Sequence, residues 1–175
     1  MNRSFKLKAV LLFAVACMFS VLTTKAQDAK KPPLSPRDSV SGKVNEATIT
    51  INYGSPSVRG RVIWGKLEPY DTVYRAGANE ATRFTTDKPI KVEGKSLPAG
   101  TYGFFVIPTK AGAWTVIFNS VAYQWGAFKY DKSKDVLRVK VKPVTVAMHE
   151  RMIYTVTDKG FSMIWDKLEI PVKVK

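Results

Sequence analysis

Apolar and polar residues alternate with period two over most of this chain, which restricts it to strands that bury one face and show the other to water. Ile49, Ile51 and Tyr53 interleave with Thr48, Thr50 and Asn52, and Leu137, Val139 and Val141 with Arg138, Lys140 and Lys142. Met152, Tyr154 and Val156 lead into Asp158-Lys159-Gly160, after which Phe161, Met163 and Trp165 resume the pattern, as in a hairpin. Leu168, Ile170, Val172 and Val174 read as one more strand, and Pro171, which lacks an N–H, places it at a sheet edge. Two stretches, Thr101–Pro108 and Trp114–Asn119, carry large side chains on both parities, as central strands do. No stretch keeps a helical period. The expected fold class is all-β, a two-sheet antiparallel β-sandwich, with jelly-roll and immunoglobulin-like orders both open.

The ends are built differently. Residues 1–26 have the layout of a secretory signal: basic Arg3, Lys6 and Lys8, an apolar stretch from Ala9 to Leu22, and Thr24-Lys25-Ala26 ahead of the expected cleavage. That stretch falls short of the roughly 20 apolar residues a permanent span needs, so no transmembrane helix is expected. Export to the periplasm or beyond follows, with one alternative: a lipoprotein anchored through Cys17 of Val15-Ala16-Cys17. Cys17 is the only cysteine, and cleavage after Ala26 leaves a thiol-free protein. Residues 27–37 are rich in proline and charge and read as a flexible tether; 38–175 reads as a single domain. Loss of the leader removes four cations and no acid from a formal charge of +14, so the domain stays basic. Anionic partners are favoured by such a field, although lysines spread along a chain also serve solubility alone.

Several enzyme classes are excluded by residue type. His149 is the only histidine, and the segment after it has no second one, so a zinc-protease helix is absent. Gly54 and Gly60 miss the phosphate-loop spacing and lack its Lys-Ser/Thr ending, and no Gly-x-Ser-x-Gly elbow occurs. Neither a metal nor a cofactor is expected, and nucleic acid is not an expected partner.

Chemical diversity concentrates between Tyr53 and Thr82, where arginines, aromatics, an amide and carboxylates are set among small residues. Arg75 offers a planar fork suited to a carboxylate or phosphate, with Glu80 as the nearest acid able to orient it. Two accounts of Arg75 and Glu80 stay open: a binding pair, or a structural pair that holds a crossover. On the first, Arg61, Trp64, Tyr70, Arg75, Asn79 and Glu80, joined by Asn119, Gln124 and Trp125, form a shallow site for a small polar or anionic ligand. The alternatives are a hydrolase with Glu80 as acid or base and Glu68 or Asp71 as a second carboxyl, and a non-catalytic structural or interaction protein of the envelope. The oligomeric state stays open.

The segments Tyr53-Gly-Ser-Pro56, Ile63-Trp64-Gly65, Arg75-Ala-Gly-Ala-Asn-Glu-Ala-Thr82, Leu97-Pro-Ala-Gly-Thr-Tyr102 and Gln124-Trp125-Gly126 resemble the domain-of-unknown-function 2911 family from about Leu34 to the end. The resemblance implies a secreted protein of a Gram-negative bacterium and carries no established activity. One departure is Tyr74, where the family resemblance implies tryptophan.

Overall fold

Wherever the alternation is strict, strand forms and the apolar parity turns inward. In the computed structural model, which describes residues 33–175, β1 (Arg37–Val44) and β2 (Ala47–Gly54) make a hairpin whose turn holds Asn45 at a φ of 52°. Ala47, Ile49, Ile51 and Tyr53 of β2 are all buried. The chain continues through β3 (Thr82–Thr86), the short hairpin β4 (Ile90–Val92) and β5 (Lys95–Leu97), then β6 (Gly100–Ile107), β7 (Trp114–Asn119), β8 (Asp135–Val141), β9 (Val144–Thr157) and β10 (Gly160–Lys173). Six strands form one antiparallel sheet in the order β1-β2-β3-β6-β7-β8; β9 and β10 form a two-stranded ladder, as do β4 and β5. The all-β, antiparallel expectation holds.

The β9–β10 hairpin and the six-stranded sheet share one core. Phe161 of β10 packs on Phe84 with ring centroids 5.0 Å apart and on Phe104 at 5.5 Å; Tyr154 of β9 meets Tyr53 at 4.6 Å. Gly42 of β1 lies against Val156 of β9, where an added Cβ would come 2.9 Å from the valine side chain. Strands β6 and β7 are buried on both parities, as their sequences require. One parity joins the main core; Phe105 and Ile117, on the other, pack with Ala81 under Val73, Ala127 and Tyr130.

Two findings refine the strand reading. Leu168–Val174 is not a separate strand: it continues β10 through an irregularity at Asp166, which takes a φ of 56° where the register with β9 shifts on either side. Pairing with β9 ends at Glu169, just before Pro171, and the last residues turn to β4, where Lys91 and Lys175 exchange backbone hydrogen bonds. The expected leader, its Cys17 alternative and most of the tether lie outside the described residues. Of the tether, Leu34, Ser35 and Pro36 give their carbonyls to Arg59, Asn79 and the Ser55 amide. Among the described residues no helix is long and apolar enough to cross a membrane.

Candidate functional site

Neighbouring antiparallel strands need only a few residues to connect them, yet β2 and β3 are joined through residues 55–81, and β7 and β8 through 120–134. Both long connections leave from the same end of the sheet, since Gly103 pairs with Asn119 while Thr82 pairs with the adjoining Phe104. There they bond to each other: the Ala81 amide donates to the Gln124 carbonyl and the Gly126 amide to the Asn79 carbonyl, each at 3.0 Å. Long structured loops set on a rigid sheet are common carriers of function.

The first loop is fastened at its start to the long hairpin. Val58 N–H donates to the Glu150 carbonyl at 2.7 Å, Met152 N–H to Pro56, and the buried Ser55 hydroxyl to Met152. Its closing segment, Arg75–Thr82, lies flat on Gly54: a Cβ there would come within 2.1 Å of the Ala78 oxygen, and one on Gly77 within 2.7 Å of the Thr82 hydroxyl. The buried Tyr154 and Thr82 hydroxyls both donate to the Ala76 carbonyl. Arg59, Asp71, Ala76 and Asn79 in this loop all have positive φ, a concentration of backbone strain that costs free energy and marks sites where other demands set the conformation.

Arg75–Thr82 divides two cavities. On one side, Arg75, Gly77, Ala78 and Asn79 line a cavity of about 500 Å³ together with Arg59, Arg61, Glu68, Tyr74 and Trp165. On the other side, Glu80 and Ala81 line a smaller one of about 200 Å³ with Arg83, Tyr123, Gln124 and Trp125.

The larger cavity is cationic and rich in unused donors. Arg61 is braced by bonds from its guanidinium to the Val58 and Ser57 carbonyls, and Arg59 by one to Leu34. Arg75 makes no ion pair among the described residues, and its buried Nε has no hydrogen-bond partner among them. The same is true of Trp165 Nε1 and the Tyr74 hydroxyl, which belong to side chains only 0% and 3% exposed; the Gly77 amide faces that hydroxyl and partly offsets the effect of its burial. Buried polar groups are ordinarily paired, so three in one wall is an anomaly that asks for a cause. Behind them Trp64, Tyr74, Trp114 and Trp165 form an aromatic nest, with Trp64 4.7 Å from Trp114 and 5.7 Å from Trp165. Glu68 is the one carboxylate lining this cavity among the described residues; burial pushes its carboxyl up to about 7, against the opposite pull of Arg75 and then Arg61.

The expected residues are therefore divided. Arg61, Arg75 and Asn79 share the larger cavity, whereas Glu80, Gln124 and Trp125 share the smaller. Arg75 and Glu80 do not pair; Glu80 is bound at 2.8 Å by Arg37 on β1. Trp64 belongs to the aromatic nest, and Tyr70 lies against Gly65, whose φ of 84° and 2.5 Å approach to that ring leave no room for a side chain. Asn119 is buried and spends its amide on the loop, donating to the Asp131 carbonyl and Asp135 carboxylate while accepting from Val121. Glu68 and Glu80 line different cavities, and Asp71 is part of neither wall. Arg59 and Trp165 are not among the candidate residues the sequence offers, and Tyr74 stands out there only as a departure from the family's tryptophan. The Arg59-Gly60-Arg61 doublet could have flagged Arg59; no sequence signal distinguishes Trp165 from a core residue.

The description of one family model, "Protein of unknown function (DUF2911)", matches residues 35–174. No curated protein and no solved structure matches.

Proposed function

This chain belongs to the DUF2911 family of proteins of unknown function, and from that premise we propose that it is a binding protein whose larger cavity takes a small oxyanion, a carboxylate, sulfate or phosphate group. The observation that carries this reading is the set of donors around that cavity: Arg75 Nε, Trp165 Nε1 and the Tyr74 hydroxyl buried without partners among the described residues, under a rim of Arg59 and Arg61. Donors without acceptors suit a ligand that brings acceptors, and charge-assisted bonds from guanidinium groups to an oxyanion are among the stronger hydrogen bonds. A volume of about 500 Å³ falls within the range of sites that hold a whole small molecule.

In this account the β9–β10 hairpin serves as the second layer of a two-sheet sandwich, as its shared core with the larger sheet supports. The protein is exported after cleavage near Ala26, or anchored through Cys17, and works in the periplasm or outside the cell; the basic and apolar layout of residues 1–26 supports this. A hydrolase is the weaker alternative, because Glu80 is exposed, tied to Arg37 and separated from Glu68 by the loop wall.

A thermal-shift series with sulfate, phosphate and citrate tests the binding reading. At least one should raise the melting temperature of the full chain in a saturable way, and Arg75→Ala should abolish the rise. Equal shifts in the variant, or none in either protein, would remove the cavity from consideration.

A further inference from the structure

We propose that the smaller cavity and the aromatic loop beside it form a second, separate site, for a neutral carbohydrate. The exposed rings stand close together in sequence on the 120–134 connection: Tyr123 is 75% exposed, Trp125 63% and Phe128 85%. Large aromatics exposed in a group mark interaction surfaces, whereas single ones need no explanation. Two of them, Tyr123 and Trp125, rim the cavity of about 200 Å³.

The loop that carries them is fixed. Asn119 and Tyr130 both bond to Asp135, the Ser120 amide donates to the Lys134 carbonyl, and Glu80 and Trp125 form a β-bridge. Arg83 stands 4.9 Å over the Tyr123 ring and braces it from one side. Rings held this way lose little freedom when a flat apolar face stacks on them.

The polar groups of this cavity have the opposite need to those of the larger one. Gln124 donates its Nε2 to the Val121 carbonyl at 2.9 Å, which fixes the amide and leaves Oε1 buried without a donor among the described residues. One oxygen of Glu80 is held by Arg37, and the carboxylate remains half exposed on the cavity wall. Acceptors that lack donors, beside aromatic faces, suit a ligand with hydroxyl donors and C–H faces, which is the make-up of a sugar. Arg83 in the same wall can donate to a sugar hydroxyl as well, so the cavity offers both donor and acceptors to groups that carry both. The cavity is below the roughly 300–1,000 Å³ of whole-ligand sites, so one ring would enter it while neighbouring units of an oligosaccharide lie over Trp125 and Phe128.

A lipid surface is the competing occupant, because Lys129, Lys132 and Lys134 follow the aromatic residues. The test is isothermal titration calorimetry of the full chain against a panel of neutral oligosaccharides and, in parallel, phosphatidylglycerol vesicles. Saturable binding of an oligosaccharide is expected, weakened by about ten-fold or more in Trp125→Ala and in Gln124→Met, and changed by no more than about two-fold in Arg75→Ala. Trp125 is exposed, so its loss leaves the core intact. Failure of every saccharide to bind, or binding that survives Trp125→Ala, overturns the proposal. Vesicle binding lost in Trp125→Ala without any sugar binding overturns it as well and assigns the surface to lipid.

Discussion

At Glu68, burial and two neighbouring guanidinium groups push the carboxyl in opposite directions, and burial prevails, raising it from 4.5 to about 7. The fold therefore favours the neutral form. Its contribution to stability is complete below about pH 4.5 and is lost as pH rises through 7. Glu68→Gln keeps the shape and removes the ionisation, so it should leave the melting temperature unchanged at pH 4.5 and raise stability at pH 8. Allowing for screening at a partly exposed group, the gain should be about 1 kcal/mol, readable by urea denaturation at both pH values. Ionised Glu68 would also oppose an oxyanion in the same cavity, so sulfate should bind more tightly at pH 6 than at pH 8, with the difference flattened in the variant. None of this is legible from Glu68 in sequence, where it is one carboxylate before a proline. Arg75 was legible because its planar fork stands in an unusual run of small residues; its lack of a pairing with Glu80 was not, since that depends on Arg37 arriving from β1.

At the scale of elements, the period-two pattern located β2, β8 and the parts of β9 and β10 next to their turn, because each buries one face and a one-residue slip would expose it; it passed over the polar β1 and the exposed start of β9. It separated Leu168–Val174 from the strand before it because the irregularity at Asp166 resets the parity without a glycine or proline to announce it; aspartate tolerates the left-handed conformation well enough to sit there. The two cavities escaped the sequence reading for a related reason. Residues 53–82 read as one cluster in sequence, whereas the bent course of 75–82, with Ala76 and Asn79 at positive φ, brings Arg75 and Asn79 to one cavity and Glu80 to the other. That course depends on Gly54, the base on which the segment rests. Gly54→Ala would put a carbon 2.1 Å from the Ala78 oxygen, a contact with backbone that cannot turn aside. It should cost about 3 kcal/mol in chemical denaturation. Any folded fraction should also show faster amide exchange at Ala78 and Ala81, whose N–H groups bond to Gly54 and Gln124. Unchanged stability would mean that the loop does not rest on the strand as described.

For the molecule as a whole, the antiparallel sheet supplies a rigid end from which two long loops rise, and the division of labour between the two cavities is chemical. The larger cavity holds buried donors and arginines; the smaller holds Gln124, Glu80 and Arg83 beside exposed aromatic faces. The domain stays basic once the leader's four cations are taken from the formal charge of +14, and its field attracts anions at long range without selecting among them. Selection would rest on the buried donors. The direct test is a ¹H–¹⁵N NMR titration of the protein with sulfate, phosphate and citrate, following the Arg75 Nε–H and Trp165 indole resonances. The account predicts that one of these anions shifts both signals along a common saturating curve, while the Trp125 indole stays in place. Weak shifts confined to surface lysines, with Arg75 and Trp165 unmoved, would contradict it.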